Sequence, residues 1–329
     1  LDQFRTAYIS TSLEPDEIAM HWSLTYEEKP AILKIYAATG PGTPPAFVPN
    51  DVQDVGWGTL DWGQMFDNIK ELAIAVSPMA AGGMEMGLGE LKKKIGVDIR
   101  TDILGQMGDD LWTVSYIDPE ADDLKAKDKD EDKPEAQDPA AAFQNAFAGL
   151  SMANQSQVVG IALKDSKAFE LSLKSIFNTL APGEGLFEDR EFMGKTIHQF
   201  KGTPPNLQVA WLIHNDTMMF SVGKPALLDK ILAGMDKKPA SPLISESYVQ
   251  AALAKLPPGG VSTSYSNAGQ LIDTVFAALK PVMADEAEGE AAEVINNLPD
   301  KLNLPWQFVS RMYLGDHAAD VRIRLSIKP

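Results

Sequence analysis

The chain contains no cysteine. That alone excludes disulfides, thiolate nucleophiles, cysteine-held zinc and iron–sulfur clusters. It leaves the redox compartment open. Histidine is scarce: His21, His198, His214 and His317 are the full set. None is spaced from another as metal ligands are, and no HExxH occurs. Basic residues are in deficit, with 29 Lys and Arg against 46 Asp and Glu, a formal charge of -17. Such a surface repels phosphate backbones, so nucleic acid is not an expected partner. No run of about 18 or more apolar residues occurs, so membrane contact is expected only through a segment absent from this chain.

Catalytic signatures are missing too. There is no GxSxG elbow, so a hydrolase triad has no starting point. Gly223-Lys224-Pro225 lacks the upstream glycine of a phosphate loop, and proline stands where a metal-binding hydroxyl is needed. Gly82-Gly83 and Gly87-Leu88-Gly89 do not make a dinucleotide fingerprint. No cofactor, metal site or catalytic residue is therefore expected. Carboxylates crowd Glu184, Glu188, Asp189 and Glu191, read as a glycine-bearing loop. A hydrolase using Glu188 and Asp189 is the least favoured reading, because most such clusters are solvated surface. Asp128, Asp130 and Asp132 alternate as in a calcium loop, but Lys133 and Pro139 occupy positions that need Gly and Glu.

What is present is globular: 44% hydrophobic and 23% charged residues over 329 positions, enough for about two domains. Asp118 to Asp138 has no aromatic and no β-branched residue and reads as an acidic, solvated excursion. Strands are expected at Arg5 to Ser12, Ile18 to Tyr26, Leu111 to Ile117 and Gln157 to Leu163. More follow at Thr196 to Phe200, Leu207 to Ile213, Met218 to Val222, Phe308 to Leu314 and Ala319 to Ile327. His214-Asn215-Asp216-Thr217 is a tight-turn sequence. Helices are expected at Asp61 to Val76, Lys167 to Leu180, Pro225 to Ala233 and Ala268 to Leu279.

The sequence also repeats. Gly63-Gln64 and Gly269-Gln270 each follow a proline-containing turn and a short strand, and each opens an amphipathic helix. The expected architecture is α+β: two related units of antiparallel sheet, with amphipathic helices packed on one face. Residues 1–117 form the first unit, incomplete at its N-terminal side; 118–156 form the acidic excursion; 157–329 form the second, fuller unit. A strand–helix–strand block matching the second unit's start is expected upstream of Leu1. The chain carries no signal-type segment, as a mature or trimmed form would.

Two features invite a binding role. Met79, Met84 and Met86 cluster in a glycine-rich stretch that reads as a loop or short helix. Soft, adaptable Met side chains can line an apolar groove. Trp57 and Trp62 sit beside glycines and could form a glycan or protein platform, although packing between strand and helix is the preferred reading.

The order VVGIALKDSKAFELSLKSIF, EFMGKTIHQF and LQVAWLIHNDTMMFSVGKPALLDKIL, followed by SPLISESYVQAALAKLP, resembles an uncharacterised bacterial family defined by a domain of unknown function. The resemblance runs from about Pro44 to Ala254 and rests on turn and packing residues. Members of that family are typically large, exported or membrane-anchored envelope proteins. The resemblance implies a place outside the cytoplasm, at the periplasm or cell surface, and brings no activity and no site residues. The expectation is a non-enzymatic structural or interaction module with an envelope protein or glycan as partner. The alternative is a carrier for an apolar or glycan ligand.

Overall fold

The structure is a computed structural model that describes residues 4–34, 36, 40–117, 155–180, 186–201, 208–286, 290–299 and 301–327. Among the described residues twelve strands form one antiparallel sheet in the order β1-β2-β12-β11-β10-β3-β4-β5-β9-β8-β7-β6. Hairpins build its two ends. β1 (Phe4–Glu14) pairs with β2 (Glu17–Tyr26), and β6 (Phe187–Phe192) pairs with β7 (Lys195–Phe200). β8 (Gln208–His214) and β9 (Thr217–Gly223) turn at Asn215 and Asp216, both with positive φ, as the Asn-Asp sequence favours.

The middle of the sheet comes from distant parts of the chain. β3 (Asp54–Thr59) pairs with β10 (Ser262–Ser266) on one side and β4 (Met107–Ile117) on the other. β10 pairs with β11 (Trp306–Leu314), and β11 with β12 (Ala318–Ile327). β4 also pairs directly with β5 (Gln155–Leu163), Ile117 opposite Gln155. The sheet is thus continuous across residues 118–154, which lie outside the described residues together with the acidic run.

Cross-strand partners share a face, so the registers divide the side chains into two sets. Ile9, Trp22, Val321, Met312, Ser262, Gly58, Leu111, Ile161, Met218 and Ile213 form one row, on what we call the near face. Their chain neighbours point to the far face.

Two helices cover the far face at the centre and the β8–β9 side. They are α5 (Pro225–Lys237) and α6 (Ser247–Ala254). Leu228, Ile231 and Leu232 of α5 and Val249 of α6 share a fully buried core with Val55, Val114, Val158 and Leu212. A separate core forms on the near face under α4 (Ser166–Leu180). Asp165 caps α4 by accepting from the Ala168 amide at 2.9 Å. Helices therefore lie against both faces, not one as expected. The reason is local: β5 reads Val158-Val159-Gly160-Ile161-Ala162-Leu163, without polar alternation, so both its faces must leave water.

Each central strand leads into a pair of helices. β3 runs into α2 (Trp62–Val76) and α3 (Pro78–Ile95) before β4. β10 runs into α7 (Ala268–Glu286) and α8 (Glu290–Asn297) before β11. A four-residue helix, α1 (Ala31–Lys34), follows β2. Among the described residues no helix is long and apolar enough to cross a membrane.

Candidate functional site

The near face changes character along the sheet. Over β5, β8 and β9 it is covered. Phe169 is 2% exposed and Leu163 7% exposed, with Leu173, Ile176, Ile213 and Met218 packed around them. Phe177 of α4 reaches Trp211 at 5.7 Å between ring centroids. Phe220, further along the same face, is open to solvent.

Over β1, β2, β12 and β11 the near face carries Ile9 and Leu13; Ile18, Met20 and Trp22; Val321, Ile323, Leu325 and Ile327; and Trp306, Phe308 and Met312. Ile18, Met20, Val321, Ile323, Leu325, Phe308 and Met312 are half-buried and the rest exposed, while Tyr26, of the same parity at the end of β2, is buried. Ile9 is 66%, Leu13 79% and Trp22 49% exposed. The far face of β1, β2 and β12 is mostly polar, while that of β11 joins the far-face core through Val309. His21 contacts Asp320 at 2.8 Å, and Arg324 and Lys255 both hold the buried carboxylate of Glu17. Polar groups facing one way and apolar groups the other are the pattern of a sheet that expects cover on its apolar side.

Two hollows mark this face. One, of about 180 Å³, is bounded by Leu13, Ile18, Trp306, Leu325 and Ile327 at the β1–β2 turn. The other is a trough of about 430 Å³ over the sheet centre. Its floor is made of small residues, Gly56, Gly58, Ser262, Ser264 and Ser310, and Leu111, Met312, Val321 and Tyr36 rise around it. At Gly58 a Cβ would meet the Val261 carbonyl oxygen at 2.7 Å, so a larger residue would not fit without a shift. Asp54 lies in the next near-face row beyond Gly56, with the Ser115 hydroxyl donating to it at 3.5 Å. Burial pushes its carboxyl above the ordinary aspartate range, against the bonds from Ser266 and Ser115.

The residues singled out by sequence do not assemble here. Trp57, a candidate platform residue for which packing is the preferred reading, is a far-face core residue. Its parity with Val55 decides that. Trp62 is half-buried at the start of α2, its indole donating to the Gly108 carbonyl at 2.9 Å. Met79 and Met86 project into solvent from α3, and Met84 is half-buried; the stretch is a long helix, not a loop.

The carboxylate cluster is also corrected. Glu188, Asp189 and Glu191 sit on edge strand β6, not in a loop, and Glu184 lies outside the described residues. Glu188 and Asp189 are successive strand residues, so they face opposite sides of the sheet and cannot converge on one bond. Asp189 instead contacts His198 at 2.7 Å, which stacks on Trp211 at 4.2 Å. His214 contacts Asp236 at 3.0 Å, and Lys195 bonds the same carboxylate. His317 contacts the Glu27 carbonyl at 2.9 Å. Among the described residues no three His, Asp or Glu side chains are grouped to hold a metal.

Compared with known protein families, with curated proteins and with solved structures, the chain shows no match.

Proposed function

We propose that this chain is a non-enzymatic interaction module, and that its working surface is the bare apolar near face of β1, β2, β12 and β11. The observation that carries the reading is the row of exposed and half-buried apolar side chains from Ile9 and Leu13 to Trp306 and Ile327, beside a mostly polar far face on β1, β2 and β12. Monomeric proteins keep contiguous apolar patches to roughly a few hundred Å² unless something binds there. On the family resemblance, the module works outside the cytoplasm, in the bacterial envelope. A second reading, a carrier for an apolar ligand, is favoured by the trough and its apolar walls.

The two halves of the sheet are, in this reading, related units. Leaving aside the β6–β7 hairpin that extends one end, one half runs β8, β9, β5, β4, β3 toward the centre and the other runs β1, β2, β12, β11, β10. Each has an outer hairpin, and each has its inner two strands linked through a helix pair. The helix starts agree as well. Asp61 accepts from the Gln64 amide at 2.8 Å, and Asn267 accepts from the Gln270 amide at 3.4 Å.

Cross-linked pull-down from envelope extract, followed by mass spectrometry, tests the function. Wild type should enrich envelope proteins that a Trp22→Asp variant loses. Retention of every partner by a folded variant would remove the surface from consideration. Enrichment of cytoplasmic proteins alone would remove the location.

A further inference from the structure

We infer that the bare near face is a docking site for a cationic amphipathic α-helix of a partner protein, seated as α4 is seated on the other half. This rests on reading the face as an interaction surface, and it names the occupant. The first support is internal. α4 follows β5 and lays Phe169, Leu173, Ile176 and Phe177, at i, i+4, i+7 and i+8, on the near face of β5, β8 and β9. In the matching half the equivalent strands are β12, β1 and β2. They present Ile323, Leu325, Met20, Trp22 and Ile9 to the same side, by unbroken register. The chain thus contains one filled and one bare version of the same helix seat.

The second support is charge. Glu14 and Asp16 stand at one end of the bare face, and Glu27, Glu28 and Asp316 at the other, all exposed. Cations partly offset them: Arg5 bonds Glu27, Lys34 lies 3.7 Å from Glu28, Arg324 reaches Glu14 at 3.4 Å from the far-face side, and Lys29 follows Glu28, which leaves a small acidic excess. With a formal charge of -17 on the whole chain, a helix flanked by Lys and Arg is favoured over an acidic one. The third is the hollow at Leu13, Ile18, Trp306, Leu325 and Ile327, which is large enough for one aromatic anchor.

The probe is a labelled, helix-stabilised peptide with the sequence of residues 165–180 and Glu170→Lys, titrated against the full chain by fluorescence anisotropy. Saturable binding is expected, weaker in high salt. Trp22→Asp, and separately the more exposed Ile9→Asp, should each weaken it at least about tenfold while circular dichroism stays unchanged. Met79→Asp, remote from the face, should leave it intact. No saturable binding, or equal binding by both folded variants, overturns the inference. Concentration-dependent dimerisation lost in Trp22→Asp would assign the face to a second copy. Binding to phosphatidylcholine vesicles lost in that variant, without competition by peptide, would assign it to acyl chains. Either result overturns the helix yet leaves the interaction surface standing. Only variants that also keep every envelope partner bring that reading down.

Discussion

Two regions of one sheet differ in what lies on them. Around β5, β8 and β9 the strands are largely apolar on both sides, and helices cover both except at Phe220. Around β1, β2 and β12 the strands alternate, with polar groups bonded to one another on the far face and apolar groups left open on the near face. Covering a strand on both sides makes it core and little else. Leaving a complete apolar face open costs stability in water, and that cost is recovered only when something settles on it.

The sharpest way to break this comparison is truncation on each side. Phe169→Ala removes a buried ring beneath α4, and should cost about 3–5 kcal/mol in urea unfolding. Ile9→Ala, on the open face, should change stability by no more than about 0.5 kcal/mol. Similar costs for the two would mean that the near face is equally buried at both ends.

Packing tolerance gives the next contrast. At Gly160 of β5 a Cβ would stand 2.0 Å from the Trp112 indole. Gly160→Ala must push that ring away and should cost about 1–3 kcal/mol. At Gly82 of α3 a Cβ meets nothing within 4 Å. Gly82→Ala should raise stability by about 0.5–1 kcal/mol, through helix propensity alone. Thermal unfolding of the pair checks both signs.

Much of this was legible. Most strands and four helices follow from periodicity, and the Asn-Asp turn from composition. The Gly-Gln pairs each lie at a helix start, one in α2 after β3 and one in α7 after β10. The alternation in β12, Val321, Ile323, Leu325 and Ile327 against Asp320, Arg322 and Arg324, was also in the letters. It signals one apolar face, but a single sequence cannot say whether a helix arrives to cover it, because that depends on long-range strand order. β6 was hidden by its acidic residues, which suit an edge strand as well as they suit a loop. α3 was hidden by its four glycines, which weaken helix propensity without preventing helix packing. For the tryptophans packing is the preferred reading, and strand parity with Val55 puts Trp57 in the core.

Acidity sharpens the comparison through two carboxylates. For Glu17, on the polar far face of the open half, burial raises the pKa. The hydrogen bond and charge of Lys255 and the charge of Arg324 outweigh that, leaving it below the ordinary range. Its contribution is present above the unfolded pKa and fades as pH falls through the folded one. Glu17→Gln should therefore lower the unfolding midpoint at neutral pH, with the gap closing on acidification. Asp54, at the sheet centre, is displaced the other way by burial. Folding favours its protonated form, so stability declines as pH rises from the unfolded pKa through the folded one. Asp54→Asn should raise the midpoint at neutral pH and leave it unchanged in acid. Parallel pH responses in the two variants would contradict the opposite environments assigned to them.

The smallest effect is expected where the covered half carries its acidic run. Ile117 and Gln155 are already held opposite each other by the β4–β5 ladder, so the strands do not need a long connection to find their register. Closing a shorter loop changes chain entropy only slowly with length. Replacing residues 121–136 by a short Gly/Ser linker should shift stability by less than about 0.5 kcal/mol. It should leave peptide binding on the open half untouched, because the sheet between them is unchanged. Calcium is a second arm of the same experiment. Asp128, Asp130 and Asp132 lack the Gly and Glu of a calcium loop. Any calcium effect on the midpoint should therefore be small, sensitive to salt, and confined to the intact chain. Loss of cooperative unfolding in the shortened chain would show that the covered half depends on the acidic run for part of its cover. A large calcium-induced rise in the intact chain alone would show a metal site that the spacing does not announce.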